Sequence, residues 1–201
     1  MLMKTIIILG GSGYIGQHLM QQWLSRESNI TFYCVSRRGT PKEILPSLSS
    51  ADIRWVSGDV LNADSFIGQL PASADVIVDL VGTATGKTQV DFDRMNAEPV
   101  KTMVALMDRL SIPAGAYASG LVGMPGSSGK FVSSKKKGEE IARKSGKRIA
   151  IVRPSLVYGD RKGVGAMVVM MKFVGIFSPK FKPITVDRLC TEIIDGVAAL
   201  S

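Results

Sequence analysis

Ile6-Ile7-Ile8-Leu9-Gly10-Gly11-Ser12-Gly13-Tyr14-Ile15-Gly16 decides the fold of this chain. The apolar, β-branched run suits a central parallel strand buried on both faces. The glycines permit a tight turn, let backbone N–H groups approach a pyrophosphate, and bring helix close to strand. The next stretch has Ile15, Leu19, Met20, Trp23 and Leu24 on one side of a helix. Its N-terminus presents unpaired N–H donors and the positive end of a dipole. Gly11-x-Gly13-x-x-Gly16 fits the dinucleotide fingerprint, and Gly10-x-x-Gly13-x-x-Gly16 fits its wider variant. A lone glycine pattern would mark only a turn. With a strand before it and a helix after it, a bound nucleotide is expected at Gly10, Ser12, Gly13, Tyr14, Ile15 and Gly16.

Outward from this unit, strands and helices alternate. Residues 30–35, 53–56, 75–81, 114–119 and 148–152 read as further strands. One helix carries Met103, Val104, Leu106, Met107 and Leu110 on one side, with Pro99 at its first turn or at a kink. A second, charged helix is expected over 133–144. Such alternation predicts an α/β fold, a doubly wound parallel sheet with helices on both faces. Ligands in these sheets sit beyond the carboxyl ends of the strands, near the switch in strand order. The Gly-, Ser- and Pro-rich loop 120–129 is the expected mobile lid.

Position 36, about 20 residues after the glycines, selects the dinucleotide. An acid there would accept hydrogen bonds from the adenosine 2′-hydroxyl. The chain has Ser36-Arg37-Arg38 instead. Arginine matches a 2′-phosphate through charge-assisted bonds, whereas a carboxylate would repel it. NADP(H) is therefore expected in preference to NAD(H), unless Arg37 and Arg38 are simply exposed turn residues.

At 201 residues the chain fits one domain spanning 1–201, with 159–201 as a very small C-terminal lobe. An apolar content of 45% and a mean hydropathy of +0.18 suit a soluble α/β protein. Cys34 and Cys190 lack metal-ligand spacing, so no metal site and a reduced, intracellular setting are expected. The single histidine, His18, reads as a helix-surface residue and leaves no basis for a Ser-His-Asp triad. Residues 1 to 3 lead straight into the first strand without a signal pattern, which points to the cytoplasm; an organelle matrix or a membrane surface are the alternatives. The net charge of +8 is concentrated, because residues 130–182 hold 14 Lys/Arg against 3 Asp/Glu. That excess fits a solvated basic face, a phosphate-bearing cofactor or an anionic membrane. Nucleic acid is not expected, since interleaved aromatics and a reading motif are missing.

Together these segments resemble the short-chain dehydrogenase/reductase superfamily in its extended or atypical branch. Members near the complex I accessory subunit and quinone-biosynthesis proteins are the most similar in character. The resemblance implies that Asp59 of Gly58-Asp59-Val60 meets the adenine and that Val81-Gly82-Thr83 lines the cofactor. It further implies that Asn96 supports the site and that Pro154, within Arg153-Pro154-Ser155-Leu156-Val157-Tyr158-Gly159, runs under the nicotinamide. Family chemistry uses a tyrosine four residues before a lysine, one helical turn apart. The lysine binds the nicotinamide ribose and lowers the tyrosine pKa for proton transfer. Here Phe131-Val132-Ser133-Ser134-Lys135 supplies Lys135, with Phe131 at the tyrosine position. Gly120 stands where the family serine falls, and Ser119 precedes it. Lys135 and Ser119 are thus the candidate catalytic residues of a site without its phenol.

The segment 163–177 is apolar and rich in methionine, but it is short and interrupted by Lys172, so it does not read as a membrane span. It suits a core helix, an adaptable wall for an apolar substrate, or an interfacial helix. Two functions follow. One is an unconventional NADP(H)-dependent oxidoreductase acting on a hydrophobic carbonyl or quinone-like substrate. The other is a non-catalytic NADP(H)-binding module that senses redox state or docks a protein partner or membrane. A nucleotide-sugar epimerase or dehydratase ranks third, since it needs the missing tyrosine and a larger sugar lobe.

Overall fold

The computed structural model of the chain describes residues 3–120, 128–160 and 181–200. Six parallel strands form the main sheet: β1 (Lys4–Leu9), β2 (Ile30–Ser36), β3 (Asp52–Ser57), β4 (Val76–Asp79), β5 (Ala114–Ala118) and β6 (Ile149–Val152). Their spatial order is β3-β2-β1-β4-β5-β6, so the switch in order falls between β1 and β4. In register, Leu9 lies between Val35 of β2 and Asp79 of β4. This is the doubly wound α/β architecture, and it places the glycine turn at the crevice where such sheets bind ligands.

The apolar run of β1 alternates between two cores. Ile6 and Ile8 face a layer built by α1 (Tyr14–Arg26) and the C-terminal helix, while Ile7 and Leu9 face the opposite layer. All four are fully buried, each stabilising the fold by about 1.5–3 kcal/mol relative to exposure. The opposite layer contains α2 (Gln89–Asn96), α3 (Glu98–Arg109) and α4 (Gly129–Lys144). Of these, α3 contributes Val100, Met103, Leu106 and Met107 and α4 contributes Ala142. The closing helix α5 (Val186–Ala198) buries Leu189, Cys190, Ile193 and Val197 in the α1 layer. Two short strands, β7 (Val157–Tyr158) and β8 (Ile184–Thr185), pair beside the main sheet.

Pro99 occupies the first turn of α3, one of the two places the sequence offered it, where a missing N–H costs nothing, and α2 is a separate helix before it. Two sequence expectations change. The charged helix begins at Gly129, so Phe131 and Lys135 share it. His18 is not a surface residue: its side chain is only 13% exposed and its ring lies edge-on to Tyr14, with centroids 4.6 Å apart. Tyr14 lies one helical turn before it, and Asp160 meets it from far along the chain, a tertiary contact that helical periodicity does not encode. Residues 121–127 of the expected lid and the whole 163–177 segment lie outside the described residues. No helix among the described residues is long and apolar enough to cross a membrane.

Candidate cofactor-binding site

The turn between β1 and α1 is built by its glycines. Gly10 adopts φ +84°, a left-handed conformation that side chains disfavour. A Cβ on Gly16 would sit 2.6 Å from Gly11 Cα and 2.7 Å from its carbonyl carbon, so the first turn of α1 presses directly on the loop. Gly13 is the N-cap of α1 and has no side chain to satisfy the first-turn N–H groups. Those donors are left for an anion, as a pyrophosphate requires.

This turn forms one end of a groove of about 580 Å³ at the switch point. Gly10, Ser12, Gly13, Ser36, Arg37, Asp59, Val60, Val81 and Gly82 line it, so nine of the sequence-derived residues from four separate loops are brought together. Beside it, Ser12, Ser36, Arg37 and Arg38 enclose a smaller hollow whose lining holds no carboxylate. Asp59 is fixed by its own loop, its backbone N–H donating to Ser65 Oγ and its Oδ1 accepting from Leu61 N.

Other candidates point elsewhere. Tyr14 lines a second hollow with Gln17, His18, Glu43 and Asp160 and is not part of the groove lining. Ile15 packs into the core beneath the turn. Thr83 donates its N–H to Asn96 Oδ1 at 2.9 Å, and Asn96 Nδ2 returns a bond to Thr83 O at 3.0 Å. Asn96 is therefore the splint of the loop after β4. Pro154 follows Arg153 outside the groove lining.

Lys135 lies below the groove. It is 5% exposed, donates from Nζ to Ala118 O at 3.0 Å, and holds its ammonium 5.1 Å from the centre of the Tyr117 ring. Burial pulls its pKa down to about 8, against the opposing attraction of Asp79 and Glu139. Ser119 is buried and donates to Glu139 Oε1 at 2.9 Å. Glu139 also accepts from Arg153 Nε and Nη2, both at 2.6 Å, and from Arg143 at 2.7 Å. Burial opposes its ionisation, yet bonds from Arg153, Ser119 and Arg143 hold its carboxyl below the usual range. Phe131 stacks edge-on with Phe92 at 6.5 Å and lies against Gly120, where a Cβ would be 3.3 Å from its ring. Carbon thus fills the place of the phenol.

Sequence reading missed Asp91, Arg94 and Met95, which line the groove from α2, along with Leu61 and Leu80. The spacing i, i+3, i+4 was the available signal for the α2 residues. Asp91 is committed to a capping box with Thr88 and belongs to the scaffold. It missed Asp79 as well, although an acid closing an apolar strand is unusual in sequence alone.

The sheet order, the glycine turn and the groove define a dinucleotide-binding domain of the extended short-chain dehydrogenase/reductase type. Residues 6–174 match the model of the NAD dependent epimerase/dehydratase family, and the chain belongs to that family. It is similar to the decarboxylating sterol-4-alpha-carboxylate 3-dehydrogenase of Candida albicans, 24% identical over 121 residues, which is 58% of this chain and 34% of that enzyme. The chain spans about a third of the length of such curated relatives. Among solved structures, dTDP-glucose 4,6-dehydratase of Bacillus anthracis, in complex with NAD, has a TM-score of 0.72 at 16% identity, covering 96% of this chain and 71% of its own. A wide-type short-chain dehydrogenase/reductase of Veillonella parvula, in complex with NADP, gives 0.67 at 17% identity, covering 100% and 89%. At these identities the structures are alike in fold.

Proposed function

We propose that the chain binds NADP(H) and acts as an unconventional oxidoreductase on an apolar carbonyl or quinone-like molecule. The observation that carries the cofactor reading is the hollow of Ser12, Ser36, Arg37 and Arg38, two guanidiniums and two hydroxyls beside the glycine turn with no acid among them. That lining suits a 2′-phosphate. The N–H groups at the start of α1 suit the pyrophosphate, and the Asp59-Val60 wall suits the adenine. Both NAD- and NADP-bound relatives share the fold, so these side chains make the choice.

When bound, the nicotinamide supplies or accepts a hydride. The protein's own contribution at that end is mostly apolar, through Phe131, Phe92 and Gly120. An apolar substrate is in keeping with this cluster, and the sterol named for the C. albicans relative is of that kind. A second reading, a non-catalytic NADP(H)-binding module that docks a protein or membrane, is favoured by one observation. Ser119 and Lys135 are already engaged, with Glu139 and Ala118 O.

Titration with NADPH and NADH tests the cofactor. Arg37→Ala is expected to weaken NADPH about 10- to 100-fold, the loss of one or two charge-assisted bonds, while NADH changes little. Equal loss for both dinucleotides, or no binding by either, would overturn the phosphate assignment. Phe131→Tyr separates the two functions. Restoring a phenol one turn before Lys135 is expected to raise NADPH-dependent reduction of an apolar aldehyde by about tenfold or more, below the roughly 100- to 10,000-fold usual for general acid–base catalysis because Gly120 supplies no hydroxyl. A variant that binds NADPH and stays inert supports the docking module.

A further inference from the structure

Asp79 closes β4 and is completely buried. Its Oδ1 accepts from Val81 N at 2.9 Å, while Oδ2 has no hydrogen-bond partner. A buried carboxylate left half-satisfied is costly and calls for a charge partner. In register, Asp79 stands opposite Tyr117 of β5, and the ammonium of Lys135 lies over that Tyr117 ring. Directly above is Gly82, where a Cβ would come within 2.9 Å of both Lys135 Nζ and Asn96 Oδ1. Only a residue without a side chain separates this ammonium from the groove.

Several groups face Lys135, and they are not equivalent. From β5, Tyr117 gives its phenol proton to Asn96 O at 2.8 Å, and burial, with help from Asp79 and Glu139, drives its pKa well up, so it stays neutral. From α2, Asn96 is neutral and occupied by Thr83 and Phe92. From α4, Glu139 attracts Lys135, but Arg153 and Arg143 already neutralise it. Asp79 attracts Lys135 across the Tyr117 ring without a direct hydrogen bond between them, and no other cation acts on Asp79 among the described residues.

The geometry points to Asp79 as the positioning residue for Lys135, a buried counter-ion that keeps the ammonium charged beneath Gly82 at the floor of the cofactor groove. The inference deepens the reading that Lys135 serves a bound dinucleotide, and it rests on that reading for its purpose. The pairing itself is a property of the cofactor-free protein. It also explains why a lysine persists at full burial once the tyrosine it would assist is Phe131.

The test is an NMR titration of the lysine ε-CH2 signals in the full chain without cofactor, with Lys135 assigned through its loss in Lys135→Met. In the wild-type protein Lys135 is expected to titrate near pH 8. Asp79→Asn is expected to lower that midpoint by about one pH unit or more, since a buried ammonium loses its only uncompensated counter-charge. A midpoint unmoved by Asp79→Asn overturns the inference and gives the role to Glu139. Should Asp79→Asn fail to fold, the Asp79 carboxyl carbon is followed in wild type and in Lys135→Met. An upward shift of about one unit or more supports the pair, and no shift refutes it. In the folded Asp79→Asn variant NADPH binding is expected to weaken more at pH 8 than at pH 6, where Lys135 regains its proton. A uniform loss would make Asp79 merely structural. Wild-type protein that does not bind NADPH would remove the cofactor reading and leave the Lys135 midpoint standing as its own result.

Discussion

Gly16→Ala is expected to lower stability by about 3 kcal/mol, the upper end of overpacking costs, and to weaken NADPH binding about 100-fold. Overpacking is usually relieved by a rotamer change, but here the added methyl meets only backbone: Gly11 Cα at 2.6 Å and Gly11 carbonyl carbon at 2.7 Å. The loop and the first turn of α1 must separate, which moves the N–H groups of that first turn away from the groove. The check is equilibrium urea unfolding with an NADPH titration on the same protein. Gly68→Ala is the control, since nothing lies within 4 Å of a Cβ there, and its midpoint should hold or rise slightly. A Gly16→Ala protein that unfolds with the wild type and binds NADPH equally would show that helix–loop contact is not what shapes the phosphate site.

The glycine turn was legible in the sequence because its requirements are local: backbone conformation at Gly10 and absent side chains at Gly13 and Gly16. The sheet was legible for the same reason, as each buried strand is a short apolar run with a breaker behind it. Arg37 and Arg38 could be placed because they follow directly from β2. Legibility ended where function depends on partners distant in sequence. Glu139 reads as one charge in a basic helix, yet Arg153 and Ser119 converge on it from β6 and β5. His18 reads as an amphipathic helix's polar position, yet Asp160 reaches it from far along the chain. The basic excess of residues 130–182 is likewise offset in part in three dimensions, where Lys137 meets Asp93 and Lys147 meets Asp108, two acids outside that segment. Such pairs lower the fixed positive charge available to an anionic surface, which a count along the chain cannot register.

Removing the buried ammonium has the other large effect. Lys135→Met is expected to cost about 1.5 kcal/mol or more at pH 7.5, the free energy of the upward shift expected at Asp79, because it leaves that carboxylate buried without a nearby counter-charge. The double variant Asp79→Asn/Lys135→Met should recover most of that, since replacing two buried charges that attract each other is often neutral or better. Titration gives the sign of the pH dependence. Burial is the main cause that raises the Asp79 pKa to about 6 from 3.8. Between those values the folded chain holds a proton that the unfolded chain has lost, so stability falls as pH rises through that window. Lys135 is lowered, chiefly by burial, to about 8 from 10.5. There the unfolded chain holds the extra proton, and stability rises with pH. The pair therefore leaves a trough between about pH 6 and pH 8, and the double variant should flatten it. At pH 5 the Lys135→Met cost should vanish, because Asp79 is then neutral and the substitution removes an ammonium that had lost its counter-ion. Urea unfolding of the three proteins at pH 5 and pH 7.5 decides the matter. A double variant as unstable as Lys135→Met, at both pH values, would mean that Lys135 stabilises the fold through Ala118 O and its packing on Tyr117. The trough is a cost that an inert scaffold has no need to carry, and the proposed role of Lys135 beneath Gly82 accounts for it.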